Sequence, residues 1–546
     1  MPGNRAVAVG GGADRLSDLP DGILELVLSF LPAADAVRTA VLSRRFRGAW
    51  AHAPALNLSD VLLQGRFLGF AREALARYGA PDIPALHVTI GCECNLGPAT
   101  AAWLRDAMER ATGSVSVSVT ARGEAVTARG GALDCLILPR CLRAKSIALI
   151  LSGVGFKHCP LVLPEPGAPT WFGGLTELSL SRVRLQERVR PLGVFLSSCC
   201  TQLRKLRLSK VTGGLAPDEG LTLWPLVLHL DLLEELEVDR VETFTKLQVA
   251  SSNLRTLGVL SCFRSLSQCG MDTVVEISAP RLEVFSWSGA LPKHLSFLNL
   301  NGSHCIRCLR LSGLSFYLPG KQIRSASAVR LLEMCPRADH LIVSIDIPES
   351  TSPPMLNREE LKHVPHLPNV RVLSLEMFAV LQLTGCPITP IISSFLRGCP
   401  NLTRLHIDLS KLNIFSRLNA ECFGVRGNDE TEMKKTWQST DHRMWKRKTW
   451  RDQQQLISLR EIRLSGFMGT DRDMEIADLL FGVGASRPAL ERISISLVPQ
   501  LTQGVDGSSA CGVLWYAIGA KMKTEFPLVG GCWETFPRKE LTWTRT

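Results

Sequence analysis

The sequence LTELSL at residues 175–180 contains the pattern Leu-x-x-Leu-x-Leu, which decides the fold. Alternate residues of an extended strand point to opposite faces of a sheet. Leu178 and Leu180 are therefore expected to face a core, whereas Glu177 and Ser179 face outward. The pattern predicts a short strand with one buried face, which needs similar strands beside it.

The same pattern recurs along the rest of the chain. Its further copies begin at Leu203, Leu233, Leu254, Leu282, Ile306, Ala338, Val370, Leu402, Leu459 and Leu490. Successive copies begin 21 to 57 residues apart, around or above the roughly 20 to 29 residues of a leucine-rich repeat. Such repetition predicts stacked units whose strands form one curved parallel sheet.

The segments between the repeats have helical spacing, for example residues 191–202 and 388–401. Three earlier segments, at Ile83, near Val115 and near Ile147, have strand character and are predicted to begin the same sheet. Alternation of strands with helices on the opposite side favours an α/β fold. We expect an irregular leucine-rich-repeat solenoid with a parallel sheet on its concave face.

A separate helical pattern occupies the N-terminal sequence LSDLPDGILELVLSFLP, residues 16–32. Pro20 suits the beginning of a helix, and Pro32 suits its end. Five apolar residues are expected on one face of this helix: Ile23, Leu24, Val27, Leu28 and Leu31. Glu25 and Ser29 are expected on the other face.

Two more short helices are predicted directly after it. Asp35 is expected to cap the second helix, which buries Val41, and Ser43 to cap the third. Phe46 and Trp50 stand four residues apart on the third helix. A unit of about forty residues buries little surface and usually needs a partner, a metal or a disulfide to be stable.

The sequences LPDGILELVLSFLP and DAVRTAVLSRRFRGAW, within residues 14–50, resemble the F-box of plant F-box/leucine-rich-repeat proteins. Phe46 stands where that family commonly has Trp. The resemblance implies a Skp-type adaptor as partner, and through it cullin, while the repeats recognise a protein substrate of unknown identity. The positions that match the adaptor-binding face are Leu19, Pro20, Ile23, Leu24, Val27, Leu28 and Val41.

Outward strand positions differ between neighbouring repeats. Lys205 and Arg207 in one repeat are expected to face Glu235 and Glu237 in the next, which predicts salt bridges that fix the register. In later repeats the outward residues predict a possible substrate surface that is basic and suits an acidic or phosphorylated partner. These residues are Arg310, Arg404, His406, Arg463 and Arg492.

The widest gap between repeats holds a charged insertion at about residues 412–456. Its basic residues alternate with Trp437, Trp445 and Trp450. We interpret it as a solvated loop. One alternative is that the segment binds nucleic acid through phosphate pairing and base stacking. The other is that residues 446–448 serve as a nuclear-import signal.

The sequence favours no catalytic chemistry. Nucleotide-binding glycine loops and hydrolase or metalloprotease motifs are missing, and the one CxxC pair, Cys305 and Cys308, lacks the second pair that a zinc site needs. We therefore expect no catalytic residue, no metal site and no cofactor. With 17 cysteines, no signal peptide and a formal charge of +11 over 546 residues, we expect a cytoplasmic or nuclear protein without membrane contact.

These patterns divide the chain into four predicted regions. They are a flexible N-terminus at 1–13, the F-box module at 14–60, the repeat solenoid at 61–500 with clear repeats from 175, and a C-terminal cap at 501–546. By resemblance, we expect a non-catalytic substrate-recognition subunit of a Skp-cullin-F-box ubiquitin ligase. A repeat scaffold without a ligase role is the first alternative, and a nucleic-acid-binding protein is the second.

Overall fold

The computed structural model describes the following parts of the chain. The described residues are 19–60, 63, 66–91, 98–121, 136–138, 143–153, 160–163, 172–185, 192–213, 224–241, 244–263, 272–298, 306–312, 323–347, 364–379, 388–411, 456–467, 471–481, 489–497, 519–520, 522–524, 526, 528, 531–536 and 540–545. No helix within these ranges has the length and apolar content needed to cross a membrane.

Helices are concentrated at the N-terminus and recur between later strands. They are α1 (Asp21–Ser29), α2 (Ala33–Arg38), α3 (Phe46–Ala49), α4 (Phe67–Arg77), α5 (Pro98–Glu109), α6 (Leu192–Cys199), α7 (Ile323–Met334), α8 (Ile388–Gly398) and α9 (Asp471–Phe481). Single 3-10 turns at Thr39–Val41 and Trp50–His52 follow α2 and α3.

The other regular elements among the described residues are strands. They are β1 (Ala55–Ser59), β2 (Ile83–Ile90), β3 (Ala111–Ala121), β4 (Leu136–Ile137), β5 (Ser146–Gly153), β6 (Pro160–Val162), β7 (Glu177–Ser181), β8 (Arg184–Leu185), β9 (Lys205–Ser209), β10 (Thr212–Gly213), β11 (Trp224–His229), β12 (Glu235–Asp239), β13 (Phe244–Ala250), β14 (Thr256–Leu260), β15 (Val274–Ser278), β16 (Val284–Ser288), β17 (His294–Phe297), β18 (Cys308–Ser312), β19 (His340–Ile347), β20 (Val372–Ala379), β21 (Arg404–Asp408), β22 (Glu461–Phe467), β23 (Arg492–Leu497), β24 (Gly531–Phe536) and β25 (Glu540–Arg545).

The chain forms two compact units. Unit 1 comprises residues 1–254, 268–279 and 292–298. Its main sheet is parallel, and its strands pair in chain order: β1, β2, β3, β5, β7, β9 and β12. The three early segments predicted to begin the sheet are β2, β3 and β5, so that prediction is confirmed.

Two smaller parallel sheets alternate along the chain with strands of the larger ones. In unit 1, β4, β6, β8 and β10 form one of them. The other contains β11, β13, β15 and β17. Because each of these strands except β11 follows a strand of a larger sheet, the chain crosses between sheets repeatedly, which the sequence pattern alone did not predict.

Unit 2 comprises residues 255–267, 280–291 and 299–546. Its strands also pair in parallel and in chain order, through β14, β16, β18, β19, β20, β21, β22 and β23. The hairpin β24–β25 then joins β23 in antiparallel orientation. All eleven predicted repeat strands are present, and each begins two residues after the start of its motif.

The turns after successive strands share an unusual backbone conformation. Arg182, Lys210 and Arg240 follow β7, β9 and β12, with φ values of 55°, 53° and 48°. Ser261 after β14 has a φ of 55°, and Gly289 after β16 has a φ of 84°. Positive φ is strained for residues with a Cβ atom and natural for glycine. These five repeats therefore share one turn geometry, with Arg, Lys, Ser or Gly at the turn position.

The three N-terminal helices surround a small apolar core. Its buried residues are Leu24, Leu28, Ala36, Phe46, Ala49 and Trp50. The predicted caps were wrong, because α2 begins after Pro32, Asp35 lies in its first turn and bonds to Arg38 at 2.8 Å, and the buried Ser43 hydroxyl has no hydrogen-bond partner. Ser29 was also predicted on the wrong face, since it is buried.

This helical core continues directly into the main sheet of unit 1. Residues 55–59, placed in the helical module by sequence, form β1 and pair with β2. The Asn57 side-chain amide donates to the carbonyl oxygen of Leu31 at 3.2 Å, and the Tyr78 hydroxyl donates to Ala53 O at 2.7 Å. Burial raises the Tyr78 pKa, so this hydroxyl keeps its proton. Strand β1 therefore links the helices to the main sheet of unit 1.

Candidate functional sites

The N-terminal helices expose a group of large apolar side chains. Val41 is 89% exposed and Phe30 is 77% exposed. The group, named the apolar helical surface below, consists of Ile23, Leu26, Val27, Phe30, Val41 and Leu42. Large apolar side chains gathered on one small module are typical of a protein-interaction site.

Helix α1 presents this surface on one side while its other side belongs to the core. Leu24 and Leu28 are only 1% and 2% exposed and pack in the core cluster. Ile23 and Val27 precede them by one residue each, and α-helical geometry turns neighbouring residues about 100° apart. The buried pair therefore fixes the orientation of the exposed pair.

The predicted adaptor-binding residues fall into two groups. Ile23, Val27 and Val41 are exposed, and Pro20 is exposed at the beginning of α1. Leu24 and Leu28 are core residues in this structure, and the half-buried Leu19 packs against the same core. The structure thus supports surface contact only for the exposed group.

Leu26, Phe30 and Leu42 belong to the apolar helical surface but were missed from the sequence. The signal was present, because apolar residues surround nearly the whole of α1. A helix that is apolar on all sides is normally buried on all sides. Among the described residues, the second apolar side of α1 is exposed.

Arg45 holds the beginning of α1 in place. Its guanidinium donates to Leu19 O at 2.6 Å and to the Asp21 carboxylate at 2.5 Å. The carbonyl oxygen of Pro20 accepts from the backbone N–H of Ile23 at 2.9 Å, which closes the first turn. These contacts fix the end of the helix beside the apolar helical surface.

On the outward face of unit 1, neighbouring strands carry complementary charges. Lys205 Nζ lies 3.3 Å from Glu235 Oε1, and Arg207 Nε lies 3.0 Å from Glu237 Oε2. Lys205 also lies 4.0 Å from Glu177. The predicted salt bridges across β9 and β12 are confirmed. Because these charges are paired within the chain, this face offers few free charges to a partner.

On the outward face of unit 2, strand register brings four of the five predicted basic residues together. Arg404 and His406 lie on β21, Arg463 on β22 and Arg492 on β23. Arg310 lies on β18, separated from β21 by β19 and β20. All four arginines are exposed and His406 is half-buried.

This face also carries carboxylates that the sequence prediction did not include. Glu376 and Asp408 are register partners on β20 and β21, and Glu461 lies beside Arg404. Glu461 Oε1 lies 3.8 Å from Arg463. The signal was available, because Glu461 occupies an outward position of its strand motif, and Glu376 and Asp408 each follow a motif directly and continue its alternation. The face is therefore mixed in charge rather than uniformly basic.

Two half-buried histidines on this face have pKa values below their ordinary range. Burial is the main cause for His406, and the charge of Arg463 adds to it. Burial also lowers the pKa of His340, with Arg404 as the second cause. His406 Nε2 lies 3.0 Å from Ser465 Oγ. Both imidazoles are therefore neutral near pH 7.

Several predicted features lie outside the described residues. They include the insertion at 412–455, Cys305 of the CxxC pair, and Trp515 of the predicted cap. Among the described residues no group of three or more His, Cys, Asp or Glu side chains could hold a metal ion.

Comparison with known proteins gives two kinds of match. A family model for the F-box domain matches residues 16–54, which cover the three helices and the core beneath the apolar helical surface. An F-box/FBD/LRR-repeat protein of Arabidopsis thaliana is 30% identical over 37% of this chain and 44% of its own length. The F-box match thus coincides with the helical module.

Two FBD-associated F-box proteins of the same plant are also similar. One is 33% identical over 34% of this chain and 43% of its own length. The other is 28% identical over 50% of this chain and 61% of its own length. Each match spans less than two thirds of the relative. The chain thus carries an F-box domain at residues 16–54 and is similar, over part of its length, to F-box/leucine-rich-repeat and FBD-associated F-box proteins of a plant.

Proposed function

We propose that the chain is the substrate-recognition subunit of a Skp-cullin-F-box ubiquitin ligase. The observation that carries this proposal is the apolar helical surface, which lies within the segment matched by the F-box model. A Skp-type adaptor covers this surface and connects the chain to cullin. The repeats hold a target protein for ubiquitination.

The energetics of the apolar helical surface favour a permanent partner. Removing apolar area from water stabilises a complex by roughly 25 cal/mol per Å². Six large exposed apolar side chains lie on this small module, and large side chains buried at the centre of an interface contribute most to its affinity. Leu24 and Leu28 act indirectly, by holding α1 against the core.

The parallel strands of both units support a leucine-rich-repeat solenoid in the proposed receptor. Each repeat contributes one strand to the main sheet of its unit, and the strands of consecutive repeats pair in parallel. Stacked repeats of this type form extended concave surfaces. In the proposed receptor the outward sheet residues of unit 2 contact the target.

The proposed mechanism is proximity, without a catalytic group on this chain. The F-box anchors the complex while the repeats hold the target near the ubiquitin-charged enzyme. Such tethering raises the effective concentration of the target lysine around that enzyme. The cytoplasm and the nucleus are the compartments where this role places the chain.

Co-purification with a Skp-type adaptor tests the proposal. We expect the natural chain to retain the adaptor and Val27→Asp to lose it, because a charge at this position opposes burial. Val194→Asp on α6 is a matched control, since Val27 and Val194 are 42% and 44% exposed. Retention by both variants, or failure of the natural chain to bind, would favour the scaffold alternative.

A further inference from the structure

Charges on the outward face of unit 2 are ordered in rows that cross the strands. Register places Arg404, Glu461 and Arg492 side by side on β21, β22 and β23. The next row, two residues further along these strands, contains His406 and Arg463. With His406 neutral, the first two rows carry three arginines and one carboxylate.

A third row, two residues further still, is acidic. Glu376 and Asp408 face each other on β20 and β21. Ser344 Oγ donates to Glu376 Oε2 at 3.0 Å, and the backbone N–H of Ser410 donates to Asp408 Oδ1 at 2.8 Å. Each carboxylate retains acceptor capacity. Because the two like charges repel, a cation between them is favoured.

On the outward face of unit 1, opposite charges on neighbouring strands pair with each other. There Arg207 and Glu237 approach within 3.0 Å. Among the residues that the structure describes in unit 2, Arg310, Arg404 and Arg492 make no ion pair within 4.0 Å. Arg310, Arg404 and Arg492 therefore keep their charge available, whereas Lys205 and Arg207 of unit 1 are paired within the chain.

We propose that this face binds an extended protein segment that carries an acidic and a basic residue two positions apart. The acidic side chain contacts Arg463 and Arg404, and the basic one contacts Glu376 and Asp408. The inference rests on the proposed function, because it names the kind of target segment that the repeats recognise.

The spacing follows from strand geometry. Residues i and i+2 of an extended segment point to the same side and lie about 6.7 Å apart. Arg463 and Asp408 lie in rows that differ by two residues along the strands, so their rows are separated by about the same distance. An extended segment that runs along the strands can therefore satisfy both rows with consecutive same-side residues.

The acidic row favours this ligand over a nucleic acid. A strand of RNA or DNA presents phosphates throughout, and Glu376 and Asp408 would repel them. A segment with both charge signs is attracted by the arginines through its acidic residue and by the carboxylates through its basic residue. Charge complementarity of this kind selects partners more than it raises affinity.

Selection from a random peptide library by the full chain tests the proposal. We expect enriched peptides to carry acidic and basic residues two positions apart. Arg404→Glu with Arg463→Glu should weaken binding of a selected peptide about tenfold, because two attractive contacts become repulsive. Glu376→Lys with Asp408→Lys should instead change the selection, toward peptides with acidic residues alone.

The control exchanges one ion pair of unit 1, with Arg207→Glu and Glu237→Arg together, and it should select the same peptides as the natural chain. Circular dichroism and thermal unfolding check that each variant is folded. Enrichment of purely acidic peptides by the natural chain, equal peptide binding by both charge variants, or tighter binding of a single-stranded RNA probe would overturn the inference. Adaptor binding is measured separately, so its loss with peptide selection intact contradicts only the proposed function.

Discussion

Arg207 Nε lies 3.0 Å from Glu237 Oε2, across the parallel strands β9 and β12. Both side chains are largely exposed, and exposed pairs contribute about 0 to 1 kcal/mol. We expect Arg207→Glu to lower the free energy of unfolding of the protein by about 0.5 to 1 kcal/mol, through like-charge repulsion. The exchange of both residues should restore most of the loss, as chemical denaturation can show.

Lys210 is held at a φ of 53° in the turn after β9. Lys210→Gly should raise the free energy of unfolding by about 0.5 to 1 kcal/mol, because glycine adopts this conformation without strain. Denaturation curves of the variant and the natural chain measure the change. Lys205→Gly, inside β9, serves as the control and should destabilise instead.

Gly466 has a φ of 75°, and a Cβ atom there would lie 2.2 Å from the backbone nitrogen of Ser410. We expect Gly466→Ala to destabilise unit 2 by more than about 2 kcal/mol. The backbone at Ser410 would have to move, and alanine would be strained at this positive φ. Gly69→Ala on α4 is the control, since nothing lies within 4 Å of a Cβ atom there. A normal melting temperature for Gly466→Ala would refute the close approach.

Burial of His340 and His406 gives stability a pH dependence. Their pKa values in the folded state are lower than in the unfolded state. The unfolded chain therefore binds more protons as pH falls below about 6.5, and stability is lost in that range. We expect the melting temperature to fall between pH 7.5 and 5.5. His406→Gln should flatten this dependence, and an unchanged slope would argue against the assignment.

Leu24 and Ile23 are neighbours with opposite roles in α1. Leu24→Ala should lower the free energy of unfolding of the helical module by about 2 to 5 kcal/mol, because it leaves a cavity in the core. Ile23→Ala should change it by less than about 1 kcal/mol, since Ile23 is already exposed. Adaptor affinity of the folded protein should depend on Ile23 directly. Denaturation and binding titrations separate the two effects.

The repeat strands could be predicted because their pattern is local. Alternation of Leu178 and Leu180 with Glu177 and Ser179 states directly which face is buried. The small parallel sheet of β4, β6, β8 and β10 could not, since its strands of two or three residues, such as β8 at Arg184–Leu185, are too short to show any alternation. Pairing across repeats, rather than local sequence, makes them strands.

The candidate sites were less predictable than the strands. The strand motif predicted Arg404 and Arg463 as outward residues, but the predicted surface included only basic residues and so left out Glu376 and Asp408 on the same face. On α1 the sequence could not decide which of two apolar sides faces the core. The contacts of Leu24 and Leu28 with Phe46 and Trp50 decide it, and those contacts depend on how the three helices pack.

Strands β21 and β22 are in continuous register, from Arg404 opposite Glu461 to Asp408 opposite Ser465. Along the chain, 52 residues lie between the end of β21 at Asp408 and the beginning of β22 at Glu461. The entropic cost of closing a flexible loop grows only logarithmically, at about 0.6 kcal/mol for each doubling of its length. Neighbouring repeats elsewhere in the chain are joined by much shorter connections. Segments can thus be lengthened between repeats at little cost in free energy, so new loops can arise in a repeat protein of this kind without any change to the sheet that carries them.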